Sequence, residues 1–265
     1  MHKDNESIKG GSPERFGYEW ESYSEVKPEY EELFRRWLPF YRPEDWRGKV
    51  FLDVGCGMGR NSYWPMKYGA AGCMSIDVDD RSLASARRNL SPFPTANVRK
   101  LSGYEIDQEN AFDIAFSIGV IHHLEWPEKA LAGMVRATKP GGQVAIWVYG
   151  YENNAWFLWA LNPMRKALFS WMPLGLLHVI SNIPTALLWL LLRAGLNQIE
   201  YFRLMRSMTY KTLRLAVFDQ MLPRIANYWR RDQVEDLMRK QGLLDIELAW
   251  VNEMSWAARG VKRGQ

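Results

Sequence analysis

Three glycines at alternate positions, Gly55, Gly57 and Gly59, follow the apolar run Val50-Phe51-Leu52-Asp53-Val54. Where a strand passes into a helix, only glycine leaves a ligand room against the backbone, and the first helical N–H groups point at it. Asp77 closes the next apolar run, about 20 residues further on, where a carboxylate accepts hydrogen bonds from both hydroxyls of a ribose. This spacing points to a cofactor that contains a nucleoside. Arg60 stands where the dinucleotide fingerprint has its third glycine, which argues against NAD. His122 and His123 follow a further apolar run, Phe112–Ser117, at the edge where an α/β sheet presents its ligands. His122 is the candidate general base of the two, and His123 reads as a structural feature of the loop. Cys56 and Cys73 lack metal-ligand spacing, so no metal site is expected and both read as reduced, buried thiols.

These residues need a frame, and the periodicity supplies one. Residues 49–54, 73–77, 97–101, 112–117 and 143–149 read as strands, with helices over 61–68, 81–90 and 127–137 and a turn at 139–142. Strand and helix alternate as in an α/β, doubly wound, Rossmann-like parallel sheet. The alternation stops at Gly150 and resumes with a helix over 232–241, capped by Gly242, and two strands, 244–251 and 255–261, close enough to form a hairpin. Three parts follow. Residues 1–46 are an N-terminal cap segment, loose to about residue 13 and helical over 29–38. Residues 47–150 and 231–265 make the cofactor-binding core. Residues 151–230 form an apolar helical insertion between the fifth and sixth strands.

The run from Val50 to Asn61 resembles the first motif of class I S-adenosylmethionine-dependent methyltransferases, in the broad group related to ubiquinone and menaquinone C-methyltransferases. Ser75-Ile76-Asp77-Val78-Asp79, the run from Phe112 to Leu124, and Lys139-Pro140-Gly141-Gly142 with the strand after it are similar to the later motifs, in the same order. The resemblance implies a seven-stranded sheet whose last strand is antiparallel, and S-adenosylmethionine as cofactor. It places Gly55 and Gly57 at the methionine portion, Asp77 at the ribose and Val78 at the adenine, and counts Asp53 and Cys56 among the cofactor-binding residues. Ser117 and Ile118 would line the pocket beside the sulfonium. Where the family often has Gly-Asp-Ala after the third strand, this chain has Ser102-Gly103-Tyr104, so Tyr104 is expected to cover the base in place of the usual carboxylate contact.

Methyl transfer is an in-line displacement in which the protein mainly aligns the nucleophile and excludes water. A base is needed only when the acceptor must lose a proton. Residues 167–192 contain no Asp, Glu, Lys or Arg, long enough to cross a bilayer by length alone, but Pro173, Gly175 and Pro184 favour two shorter helices over 174–180 and 185–194. Three readings stay open for the insertion: a lid over a hydrophobic acceptor, a peripheral membrane contact, or the interface of a homodimer. The net charge of +4 is spread among acids, and the apolar insertion is unlike a basic nucleic-acid face. The expectation is therefore a small hydrophobic or amphipathic acceptor, lipid-like or isoprenoid, with no nucleic acid as partner. The polar N-terminus has no apolar secretory core, which points to a cytoplasmic protein at the inner face of the membrane if it meets one. An RNA methyltransferase and a catalytically inactive cofactor-binding subunit are the alternatives. Arg60 reads as a surface helix residue.

Overall fold

The structure, a computed structural model, describes residues 12–264; the expected loose tail lies almost entirely outside them. Seven strands form one sheet: β1 (Val50–Val54), β2 (Gly72–Asp77), β3 (Ala96–Lys100), β4 (Phe112–Ile118), β5 (Thr138–Tyr149), β6 (Leu243–Val251) and β7 (Ser255–Lys262). Their order is β3-β2-β1-β4-β5-β7-β6. The first five run parallel, and β7 is antiparallel to both β5 and β6. The order reverses between β1 and β4, so the loops after these two strands splay apart and open a crevice at their carboxyl ends.

Helices α1 (Pro13–Ser22), α2 (Tyr30–Trp37), α3 (Arg60–Lys67), α4 (Asp80–Leu90), α5 (Pro127–Ala137) and α11 (Arg231–Arg239) accompany the sheet. The inner strands are continuous apolar runs because both faces are covered. On one face Leu52, Ile76, Ala115 and Ile146 pack with Leu131 and Met134 of α5 and Val234 of α11. On the other, Phe51 and Phe116 stack at 5.6 Å and meet Trp46 and Phe34, which seats α2 on the sheet. The turn expected at 139–142 is absorbed into β5. Phe112 pairs with Thr138 and Ile114 with Gln143, so Pro140, Gly141 and Gly142 form an irregularity inside the strand.

Between β5 and α11 the chain builds α6 (Ala155–Ala167), α7 (Leu174–Ile180), α8 (Asn182–Arg193), α9 (Glu200–Ser207) and α10 (Tyr210–Met221). The stretch Leu174–Arg193 is long and apolar enough to cross a membrane by length and composition, yet it runs as two helices that meet at Ser181, whose hydroxyl donates to the carbonyl of His178 at 2.7 Å. These helices have small cores of their own, one around Phe169, Leu177 and Phe218, another around Leu192, Met205 and Leu213.

Helix α1, which the sequence pattern did not reveal, ties this insertion to the sheet. The buried Arg15 guanidinium donates to the carbonyls of Leu222 (2.7 Å), Phe169 (2.8 Å) and Ser170 (3.3 Å). Two residues on, Gly17 lies so close to Asp79, at the start of α4, that a β-carbon there would sit 2.0 Å from the carboxylate carbon. A larger residue must push α1 off α4. Gly17→Val is therefore expected to destabilise the fold by about 1–3 kcal/mol, the usual cost of overpacking, in urea unfolding. Unchanged stability would show that α1 is not seated there.

Candidate active site

The crevice continues into one cavity of about 950 Å³ that runs from the glycine turn to the insertion. Gly55 and Gly57 have φ of +76° and +54°, a backbone that side-chain-bearing residues rarely adopt. A β-carbon on Gly55 would lie 2.4 Å from Val120, and one on Gly57 would lie 2.9 Å from the indole nitrogen of Trp20. The turn is thus a narrow floor between α1 and the loop after β4. Asp77 holds it: one carboxylate oxygen accepts from the Gly57 N–H (2.9 Å), the other from those of Val78 (2.8 Å) and Asp79 (3.1 Å). Burial raises the Asp77 pKa, and these three backbone donors oppose the rise.

Of the expected cofactor residues, Gly55, Cys56, Gly57, Asp77, Val78, Tyr104 and Ile118 line this cavity. The Tyr104 hydroxyl accepts from the backbone N–H groups of Glu125 (3.1 Å) and Trp126 (3.2 Å), fixing its ring across the loops after β3 and β4. Asp53 and Ser117 turn away from the cavity. Asp53 is buried beneath the turn, where it accepts from the Ser62 hydroxyl at 2.6 Å, and burial pushes its pKa up to about 7. Ser117 donates to the Val54 carbonyl at 2.9 Å and links β4 to β1. Both are struts of the turn.

The two histidines are placed differently from expectation. They share a single 3-10 turn, Ile121–His123, which aims neighbouring side chains in different directions. His122 is fully buried, stacks on Tyr149 at 3.8 Å and stands behind the cavity wall, with neither ring nitrogen bonded among the described residues. Burial, with His123 and Arg165 nearby, holds its pKa well below the usual imidazole value, so the ring is neutral. His123 is the one in the wall. Its Nδ1 lies 2.8 Å from the Ile225 carbonyl, and burial lowers its pKa to about 4. His178 bridges the insertion to α1 and the segment just after it, with Tyr18 and Tyr23 hydroxyls 3.3 and 3.0 Å from its ring nitrogens.

Arg60 is not a surface residue. Its guanidinium lines the cavity beside the turn, boxed by Trp20 (4.7 Å), Tyr30 (5.4 Å) and Trp37 (5.0 Å). Sequence reasoning also missed Glu19, Tyr149, Asp219 and Gln220, which bring polar atoms into an otherwise apolar wall. The Tyr149 hydroxyl donates to Asp219 (3.3 Å) and accepts from Gln220 (2.8 Å).

Comparison with known proteins identifies the core. The family described as "Methyltransferase domain" matches residues 52–146. The tRNA U34 carboxymethyltransferase of Pseudoalteromonas translucida is 29% identical over 155 residues, covering 52% of this chain and 46% of that protein. The enzyme of the same name from Pseudoalteromonas atlantica is 28% identical over 177 residues, 58% of this chain and 49% of that protein. This chain therefore spans about half the length of these curated relatives. Among solved structures, a Haemonchus contortus N-methyltransferase in complex with S-adenosylhomocysteine superposes with a TM-score of 0.56 at 16% identity, covering 95% of this chain and 57% of that one. Residues 52–146 thus match a methyltransferase domain, and the sheet shares its fold with an enzyme crystallised with S-adenosylhomocysteine; neither likeness singles out the quinone C-methyltransferases. The relatives' name also overturns the expectation that nucleic acid has no place among the partners. That expectation weighed the charge-free insertion, whereas the family match rests on the cofactor half.

The buried Asp53 gives a pH signature. The unfolded chain releases this proton near pH 3.9, the folded protein only near about 7. Between these values the native state alone holds the proton, so Asp53's contribution to stability falls as pH rises through the window. Urea unfolding of Asp53→Asn should show stability relative to the original protein increasing from about pH 4 to about pH 7. A pH-independent difference would mean that Asp53 is already ionised in the fold.

Proposed function

We propose that this chain transfers the methyl group of S-adenosylmethionine to an apolar or amphipathic small molecule held in the cavity between the sheet and the insertion. The observation that carries this reading is the continuity of one cavity from the glycine turn to Leu187, Leu191 and Met205 of the insertion. A donor at the turn and an acceptor under α8 would share a single dry space. Gly55 and Gly57 present bare backbone to the cavity, which suits close approach of the cofactor's methionine end.

In this reading Asp77 takes the ribose hydroxyls, Val78 and Tyr104 flank the adenine, and Arg60 meets the methionine carboxylate from its aromatic box. Ile118 and Val120 border the sulfonium. When bound, S-adenosylmethionine supplies an electrophilic methyl group open to in-line attack; the chain itself orients the acceptor and keeps water out. The neutral His122 acts from behind, supporting the ring of Tyr149 on which it stacks. The name of the curated relatives favours a second reading, in which the acceptor is a nucleoside of tRNA.

Calorimetric titration of the purified protein with S-adenosylmethionine and S-adenosylhomocysteine should show binding of both and none of NAD. Asp77→Ala should weaken both by about 1–3 kcal/mol, the scale for leaving hydroxyls unpaired. Unchanged affinity in a folded variant rules out the ribose role. Transfer of labelled methyl to total tRNA, with none to isoprenoid or alkyl acceptors, would move the assignment to the second reading.

A further inference from the structure

Two carboxyl groups meet inside the apolar cavity, and the sequence holds them on separate helices. Glu19 on α1 has no exposed surface, and neither of its oxygens faces an N–H or O–H donor among the described residues. Its neighbour is Asp219 on α10, which the Tyr149 hydroxyl reaches from β5. Two neighbouring carboxyls in an apolar wall are stable together when one of them keeps its proton, because like charges side by side disfavour ionising both. Burial raises the pKa of both groups, and each acts on the other.

The surroundings define what the pair lacks. Arg60 is the cation that acts on it, yet it forms no ion pair with either carboxyl among the described residues and sits within its box of Trp20, Tyr30 and Trp37. The other titratable groups facing the pair are the phenols of Tyr23, Tyr30, Tyr149, Tyr201 and Tyr228. A pair with one proton thus carries one negative charge, beside aromatic rings, in a cavity whose wall is mostly apolar. Leaving a buried carboxylate without a partner is costly, and a ligand cation removes that cost. Aromatic faces add attraction for the same charge.

We propose that the Glu19–Asp219 pair is the recognition site for an amine, so that the acceptor is an amphipathic amine. This rests on the reading above that the cavity takes the acceptor. The ammonium N–H groups bond Asp219, the accessible member of the pair, with the fully buried Glu19 behind it, and the alkyl portion follows the apolar wall towards Leu187 and Leu191 of α8. The pair also takes the proton that an ammonium must lose before its nitrogen can attack. The proton passes from the nitrogen to the unprotonated oxygen of the pair, which then holds two protons and no charge, and the amine keeps its lone pair.

The test is a calorimetric titration with n-decylamine and n-decanol, two probes with one alkyl skeleton and different head groups. The protein should bind the amine about tenfold or more tightly than the alcohol. Glu19→Gln and Asp219→Asn should each abolish that preference while leaving affinity for decanol and for S-adenosylmethionine unchanged. Equal binding of both probes overturns the amine site and leaves the apolar-acceptor reading standing. Failure of both probes to bind overturns the apolar-acceptor reading and the amine site with it. If Glu19→Gln loses S-adenosylmethionine binding with an unaltered unfolding transition, the pair serves the cofactor's own amino group and the proposal fails. Should Glu19→Gln not fold, Asp219→Asn, which retains an acceptor for Tyr149, decides between these outcomes.

Discussion

One half-buried carboxylate organises the functional half of this molecule. Asp77 ends β2 and accepts backbone N–H groups from Gly57, Val78 and Asp79, so it fixes the turn after β1 and the start of α4 together. Without that acceptor the Gly57 and Val78 donors would face an apolar crevice, a loss on the scale of any unmade buried hydrogen bond. Asp77 also lines the cavity, and its Oδ2, with a single backbone donor, can accept further. A single group therefore shapes the turn that admits a cofactor and offers the acceptor atoms that would read its ribose.

What covers the turn is equally specific. Helix α1 is held at one end by Arg15 on the carbonyls of the insertion and at its middle by the absence of a side chain at Gly17. This places Trp20 above Gly57, Phe16 against His123 and Glu19 beside Asp219. The cavity is consequently mostly apolar, and a polar group in its wall matters more than it would in water. Tyr149 occupies the centre, stacked on the neutral His122 behind and hydrogen-bonded to Asp219 and Gln220 in front.

The sheet was legible from sequence because the inner parallel strands β1, β2, β4 and β5 carry apolar runs set between helical periods, whereas the edge strand β3 is partly exposed and polar. The cofactor floor was legible because positive φ and close approach leave glycine little competition at 55 and 57. Side-chain direction was harder. Asp53 and Ser117 belong to the same motifs, but strand alternation turns them under the floor to Ser62 and the Val54 carbonyl. Neighbouring His122 and His123 diverge because they lie on a 3-10 turn. The acid pair was invisible for a different reason: Glu19 and Asp219 meet only through the docking of α1 on α10, a contact that no local pattern encodes. Relatives that share the cofactor half also corrected the partner expectation, since composition of an insertion describes a surface and not a substrate.

The most direct test of the account is a crystal structure of the protein with S-adenosylhomocysteine bound. The account predicts the ribose hydroxyls on Asp77, the adenine between Val78 and Tyr104, and the sulfur facing the cavity with Trp20 still over Gly57. A ligand lying away from Asp77, or one that enters only with α1 displaced from the turn, would contradict it.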